Sequence, residues 1–334
     1  MGRPLLKYGS YGPDVLIVQE CLGCEPLDSD FGSITEEAVE KFQEESGLSI
    51  DGVVGTDTWT ALEQEFDLPP YPPPMFPTLT NHQIDTICEF ADKSKIASYN
   101  WRDRGTAPVG YTRGMAIAWS TVYRKYLAGD SSAIEMAKAD TYNDAKDAIS
   151  WFRSNYNAIG MTNDEAGPDT LRHLFVMLMG LGMRESSGQH CEGRDQSADN
   201  TSSDTAEGGL FQQSANSLSA SPEMQKLYDE YLAGGGLDGS QALCALDIFA
   251  EDVSCSSSDW GCYGSGKGFN FQTMCKHCPQ FCVEVCAVGL RVLKDHWGPV
   301  KRKELELRTE ADDLFRLIQR FVDEIMPTED TPVA

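Results

Sequence analysis

One acidic residue stands where its proton could take part in catalysis. Glu185 follows the longest apolar run of the chain, residues 174–183, whose large side chains recur at helical spacing. A carboxyl group at the end of a buried helix faces low dielectric on one side, and desolvation raises its pKa. Glu185 is therefore a candidate general acid, able to protonate a leaving-group oxygen near neutral pH. The alternative is an ordinary helix-end residue that faces solvent.

A second polar segment follows Glu185. Residues 206–214 read Ala-Glu-Gly-Gly-Leu-Phe-Gln-Gln-Ser. Two glycines allow the backbone to approach a ligand closely, Leu210 and Phe211 can anchor the turn in a core, and the glutamine amides can then hydrogen-bond a ligand. Three aspartates lie between Glu185 and this segment, so the region holds several carboxylates that could activate water. In an acidic protein, such residues are also expected in any solvated loop.

Helices must position these residues, because strand patterns are scarce. The clearest predicted helix spans residues 168–183, where Pro168 suits the first turn. We predict further helices near residues 80–98, 114–128, 131–157, 222–233, 238–252, 277–295 and 309–325. The sequence therefore predicts an all-α fold.

A proline-rich segment divides the chain. Residues 69–77 hold six prolines and favour an extended, semi-rigid linker. It separates residues 1–68, with a net charge of −12, from a larger domain at 78–330. Three short helices are predicted in the first part, at residues 13–22, 36–46 and 59–66, in a weak internal repeat. Thr35 and Thr58 are the expected N-caps of the second and third, and the expected core is Val39, Phe42, Trp59 and Leu62.

Composition and charge exclude several classes of function. The chain has 334 residues and a formal net charge of −25, which disfavours nucleic acid and anionic membranes as partners. No apolar run is long enough to cross a bilayer, and no secretory signal precedes the first module. Walker and dinucleotide motifs are missing, as is a nucleophile elbow, so we expect no cofactor.

Eleven cysteines favour disulfides and an oxidising compartment. Cys275, Cys278, Cys282 and Cys286 are spaced along one helical face, and structural zinc sites usually draw ligands from separate turns. We therefore expect a buried stripe with some disulfides, possible partners being Cys244, Cys255 and Cys262, and no bound metal. Cys21 and Cys24 either pair with each other or lie in a core.

The pairing of Glu185-Ser186 with Gly209-Leu210-Phe211-Gln212 resembles the catalytic region of the lysozyme-like superfamily, above all goose-type lysozymes and soluble lytic transglycosylases. The resemblance implies that Glu185 is the catalytic acid and that one or two aspartates place water, Asp204 first and then Asp199 or Asp195. Residues 296–299, His-Trp-Gly-Pro, fit a late family landmark or an ordinary helix stop. The implied substrate-binding residues are Ser186, Glu207, Gly209, Leu210, Phe211 and Gln212.

Residues 5–65 resemble the three-helix peptidoglycan-binding domain found beside many cell-wall hydrolases, through motifs such as Asp51-Gly52-Val53-Val54-Gly55. Together the two resemblances imply a monomeric, muramidase-type glycosidase that binds peptidoglycan and acts at the bacterial wall, by an export route that is left open. A lytic transglycosylase, which releases 1,6-anhydro products, and a non-catalytic wall-binding protein are the alternatives. A phage endolysin, a wall-remodelling enzyme and an antibacterial effector would share this architecture.

Overall fold

The computed structural model describes residues 3, 5–11, 13–28, 30–66, 68, 79–194, 202–234, 236, 237, 239 and 242–326. Its secondary structure is almost entirely helical, which confirms the all-α prediction. The predicted linker at 69–77 and the candidates Asp195 and Asp199 lie outside these residues. No helix within the described ranges is both long and apolar enough to span a bilayer.

The first module has its own core among three helices, α1 (Pro13–Leu22), α2 (Ser33–Glu45) and α3 (Thr56–Glu65). All four expected core residues are buried there, together with Leu6, Val15, Val18, Phe31 and Val54. A buried glutamine repeats the same role in each half. Gln19 Nε2 donates to Thr35 Oγ1 over 3.2 Å, and Gln43 Nε2 donates to Thr58 Oγ1 over 3.1 Å. The internal repeat is thus a repeated hydrogen-bond network.

The expected N-caps of this module were wrong by one turn. Gly32 and Gly55 are the N-cap residues, and each threonine is the third residue of its helix. Thr58 Oγ1 instead donates to the carbonyl oxygen of Val53 while it accepts from Gln43. The threonine therefore joins the turn before the helix to the buried glutamine, a contact that a local capping pattern does not reveal.

The larger domain is built from helices and one small hairpin. The hairpin is β1 (Asn100–Trp101) and β2 (Gly105–Thr106), paired antiparallel. Short 3-10 helices cover Ile96–Ser98, Ala215–Ala220, Ala242–Cys244 and Lys294–His296. The α-helices are α4 (Asn81–Lys93), α5 (Val109–Leu127), α6 (Ser131–Met136), α7 (Ala148–Trp151), α8 (Arg153–Ala158), α9 (Pro168–Ser186), α10 (Pro222–Ala233), α11 (Leu246–Phe249), α12 (Ser257–Trp260), α13 (Gly266–His277), α14 (Pro279–Val292), α15 (Gly298–Lys301) and α16 (Thr309–Ile325).

Helix α9 runs through the middle of the larger core and is buried along most of its length. Helices α5, α14 and α16 pack around it. The Tyr111 hydroxyl of α5 donates to the carbonyl oxygens of Leu178 and Met179 at 3.1 and 2.9 Å. A Cβ atom at Gly182 would collide with that hydroxyl, so the glycine permits the close approach of the two helices. These contacts fix the last turns of α9, where Glu185 lies.

Two predicted helices do not form as predicted, and three were missed, the short α12 and α15 and the longer α13. The expected helix at 131–157 is split into α6, α7 and α8, because the intervening loop is held by Arg291 of α14. Its guanidinium donates to the carbonyl oxygens of Met136, Lys138 and Ala139 and pairs with Asp147. The expected helix at 238–252 is reduced to a 3-10 turn and the short α11, whereas α13 was not predicted.

The cysteines form two disulfides, Cys191–Cys255 and Cys244–Cys278. Cys278 therefore cannot act with its three neighbours in the stripe, which are free and buried, and the helix is interrupted at this residue between α13 and α14. Cys21 and Cys24 are both free.

This pairing predicts the number of reactive thiols. Alkylation of the unfolded, unreduced protein should label seven cysteines, and prior reduction should raise the number to eleven. Intact-protein mass spectrometry measures both numbers. Eleven labelled thiols without reduction would contradict the disulfides.

Candidate active site

Glu185 lies in the last turn of α9, since the helix extends three residues beyond its predicted end. Ser187 stops it by adopting a left-handed conformation, with φ of 55°. The carboxyl group is half-buried, and among the described residues no hydrogen bond to it is present. It also lies at the C-terminal end of α9, where the partial negative charge of the helix macrodipole disfavours an ionised carboxylate. Glu185 is thus held in a place that favours its protonated form.

The surroundings of Glu185 shift its pKa strongly. Its pKa is raised from 4.5 to about 7, mainly because burial disfavours the charged carboxylate and secondarily because Glu207 adds a negative charge nearby. Three arginines oppose the rise, in decreasing order Arg302, Arg104 and Arg184. An acid with this pKa is still substantially protonated at neutral pH, as general acid catalysis requires.

A polar cleft of about 370 Å³ opens beside Glu185. Its walls come from the β1–β2 hairpin, the end of α9, the segment after residue 206 and the chain around α15. These pieces are far apart in sequence and meet only in the folded domain. The residues that line the cleft are Arg104, Arg184, Glu185, Glu207, Gln212, His296, Trp297, Gly298, Pro299, Arg302 and Glu304.

The Gly-Leu-Phe-Gln segment forms a tight turn against the core. Gly209 has φ of +76°, and a Cβ atom there would lie 2.7 Å from the carbonyl oxygen of Cys275. Leu210 and Phe211 are fully buried, so they hold the turn and do not line the cleft. Gln212, in a left-handed conformation with φ of 46°, reaches the cleft wall and donates to the carbonyl oxygen of Gly209 over 3.2 Å.

The late segment 296–299 belongs to the same cleft. Trp297 Nε1 donates to the carbonyl oxygen of Phe211 over 2.9 Å, which ties this segment to the turn. Burial lowers the pKa of His296, so its ring is neutral near pH 7. The sequence pattern alone left this segment open to interpretation as a helix stop, and its place in the cleft depends on this long-range contact.

The remaining predicted site residues lie elsewhere. Ser186 is buried and donates from Oγ to the carbonyl oxygen of Gly182, back along its own helix. Asp204 is exposed and is not among the residues that line the cleft. Two further carboxylates line the Glu185 cleft, Glu304 and Glu207, and the resemblance had placed Glu207 among the substrate-binding residues.

A disulfide stabilises the back of the site. Cys191–Cys255 holds the stretch that includes Glu192, whose carbonyl oxygen accepts the Gly209 N–H over 2.9 Å. His190 lies beside it, with Nε2 3.8 Å from Cys255 Sγ. Among the described residues, the side chains of His190, Cys191 and Cys255 form the one cluster with the spacing of metal ligands. Its two sulfurs are bonded to each other, so they are not available as thiolates.

Comparison with known proteins identifies one of the two modules. Residues 8–62 match the family model described as "Putative peptidoglycan binding domain". These residues form a domain of that family. The match confirms the resemblance predicted for residues 5–65, and it does not extend into the domain that contains Glu185.

Two other comparisons contribute less. No curated protein matches the chain. One matching solved structure is the crystal structure of Burkholderia AP3 phage endolysin, at 14% identity over 95% of this chain and 99% of that chain, with a TM-score of 0.18. The cleft is therefore interpreted from its own geometry.

The raised pKa of Glu185 predicts a cost in stability at high pH. A folded-state pKa above the unfolded value means that stability falls as pH rises from about 4.5 to about 7. Glu185→Gln removes this loss, so the variant should be more stable than wild type at pH 8, by up to about 3 kcal/mol, and equally stable at pH 4. Urea unfolding at both pH values measures the difference.

Glu207→Gln tests the cause of the shift. Without the Glu207 charge, the pKa of Glu185 is lower, and the gain from Glu185→Gln at pH 8 should shrink in that background. An equal gain at pH 4 and pH 8 would show that Glu185 titrates as an ordinary carboxyl group.

Proposed function

We propose that this protein cleaves the glycan strands of peptidoglycan at the β-1,4 bond between N-acetylmuramic acid and N-acetylglucosamine. Glu185 is the general acid in this proposal, and the N-terminal domain holds the enzyme on the wall. The observation that carries the proposal is the half-buried carboxyl group of Glu185, with its raised pKa, at the wall of an open, polar cleft. The wall-binding domain in the same chain supports peptidoglycan as the substrate.

The acid step uses the proton that the site stabilises. Glu185 donates its proton to the glycosidic oxygen as the bond from that oxygen to the anomeric carbon breaks, and the bonding pair stays with the leaving oxygen. The positive charge that develops on the sugar ring is an oxocarbenium-like transition state. The carboxylate left on Glu185 stabilises this charge in the low dielectric of the cleft.

Hydrolysis also requires a water molecule with a base to accept its proton. Inverting enzymes hold two carboxyl groups roughly 6.5–9.5 Å apart, with the water between them. We assign the second role to Glu207 in preference to Asp204, because Glu207 lines the Glu185 cleft and Asp204 is exposed outside it. Asp195 and Asp199 remain further candidates for this role. Gln212 lines the same cleft as both glutamates, and in this proposal its amide hydrogen-bonds the sugar.

The wall-binding domain contributes through concentration. Peptidoglycan is an insoluble polymer, and a tethered catalytic domain meets its bonds at a high effective concentration without new contacts in the cleft. The proposed site of action is therefore the bacterial cell wall.

Digestion of purified peptidoglycan tests the proposal. Wild-type protein should release soluble muropeptides with reducing ends, identified by mass spectrometry. Glu185→Gln should reduce the rate by about 100-fold or more, because the amide cannot donate the proton, while the protein still sediments with the wall. The matched control is Glu89→Gln, on the exposed surface of α4, which should digest at the wild-type rate.

The products also separate the alternatives. Fragments lighter by one water would be 1,6-anhydro sugars, which means that the 6-hydroxyl of the sugar attacks and that Glu207 has no part as a base. Equal release by Glu185→Gln and wild type would contradict the assigned acid. Sedimentation with the wall and no soluble product would leave a binding protein without this activity.

A further inference from the structure

The cleft holds a higher share of positive charge than the chain as a whole. The protein carries a formal net charge of −25, yet three guanidinium groups line this cleft, from Arg104, Arg184 and Arg302. We call these three residues the arginine wall. When Glu185 is protonated and His296 is neutral, two carboxylates face them, Glu207 and Glu304. While Glu185 holds its proton, three positive charges therefore face two negative ones in the cleft.

The arginine wall is assembled from separate parts of the fold. Arg104 lies in the β1–β2 turn and donates from Nη2 to the Arg184 carbonyl oxygen over 2.7 Å, at the end of α9. Arg302 follows α15 and forms a two-pronged pair with Glu304, at 2.8 and 3.0 Å. The fold brings these three positive charges together from three segments, and they repel one another. This unfavourable electrostatic energy requires an explanation.

Gly298 makes room for one of these groups. A Cβ atom at this position would lie 2.8 Å from Nη1 of Arg302, so any other residue would require the end of the Arg302 side chain to shift. Although Arg302 is paired with Glu304, about 60% of its side chain is exposed. Arg104 shows a single hydrogen bond among the described residues and carries five N–H donors in all. Both can therefore donate to an incoming ligand.

A role in raising the pKa of Glu185 does not explain the arginine wall. Each of the three arginines lowers the pKa of Glu185, which opposes its role as a proton donor. Glu304 compensates only in part, since its carboxylate pairs with Arg302 and lies 3.8 Å from Arg184. The arginine wall lowers the pKa of Glu185, and its positive charges repel one another. Such a cluster is expected where the ligand itself supplies negative charge.

We propose that the arginine wall is an anion subsite that binds a carboxylate of the substrate, with Arg104 as its main contact. This proposal rests on the proposed function and deepens it. The N-acetylglucosamine units are uncharged, so the carboxylates of peptidoglycan come from the stem peptides or from lactyl groups that carry no peptide. A planar guanidinium matches a carboxylate in a bidentate geometry. The subsite would thus favour peptidoglycan over uncharged glycans such as chitin.

Binding to an inactive protein tests the subsite without turnover. Soluble muropeptides from digested wall are titrated calorimetrically into Glu185→Gln, and into the same variant with Arg104→Gln added. Loss of the arginine should weaken binding about tenfold or more. The control is Arg320→Gln, an exposed arginine on α16 that does not line the cleft, which should leave the affinity unchanged.

Modified ligands complete a double-mutant cycle. When the carboxylates of the muropeptide are converted to amides, binding should weaken as much as it does with Arg104→Gln, and the arginine substitution should then have no further effect. Glycan fragments stripped of peptide identify the source of the carboxylate. Retained dependence on Arg104 points to the lactyl group, and lost dependence points to the stem peptide.

The outcomes distinguish this proposal from the proposed function. Equal weakening by Arg104→Gln for charged and amidated ligands would overturn the anion subsite and leave the glycosidase proposal intact. No measurable binding of any muropeptide would overturn the subsite as well. If wild-type protein releases no product from wall but the cycle shows coupling, the subsite stands and the cleavage chemistry fails. Arg104→Lys serves as the conservative variant and should restore part of the affinity, because it keeps the charge without the planar fork.

Discussion

The desolvation of one carboxyl group, at the end of helix α9, is the constraint on which the candidate site of the larger domain depends. Glu185 favours its protonated form because the helix end is packed on one side by α5 and because Glu207 shares the cleft. The close packing of Tyr111 against Gly182 keeps this end of α9 in place. The same desolvation lowers the free energy of unfolding once Glu185 has lost its proton. The raised pKa that suits a proton donor therefore makes the folded protein less stable above neutral pH.

Charge divides the molecule into regions with different tasks. The N-terminal domain is strongly acidic. In each half of it, one buried glutamine hydrogen-bonds a threonine of the following helix. The cleft is lined by three arginines and three glutamates. Trp297 ties one of its walls to the turn at Phe211, and the Cys191–Cys255 disulfide holds the stretch behind that turn. In the proposed anion subsite, the attraction for a carboxylate acts only within about a Debye length of the arginine wall, so the acidic surface farther away does not cancel it.

The sequence was sufficient for the parts of the structure that depend on local patterns. The amphipathic spacing that starts at Leu171 predicted α9, and the motif glycines predicted the three-helix domain that the family match confirms. Prediction was wrong where distant side chains decide. The helix at 131–157 is interrupted because Arg291 takes up its carbonyl groups. For the second carboxylate, the resemblance put Asp204 first, and that role stays a prediction, while the folded turn brings Glu207 into the cleft. The arginine wall had no local sequence signal, because its residues come from separate segments.

The pKa of Glu185 in the folded protein tests the central claim most directly. Protein labelled with ¹³C at the glutamate carboxyl carbons would be titrated by NMR, with Glu185→Gln to assign the resonance, and the result compared with the pH dependence of peptidoglycan digestion. We predict a pKa of about 7, with activity lost at higher pH through the same midpoint. A midpoint near 4.5, or an alkaline limit of activity unrelated to the Glu185 titration, would contradict this account.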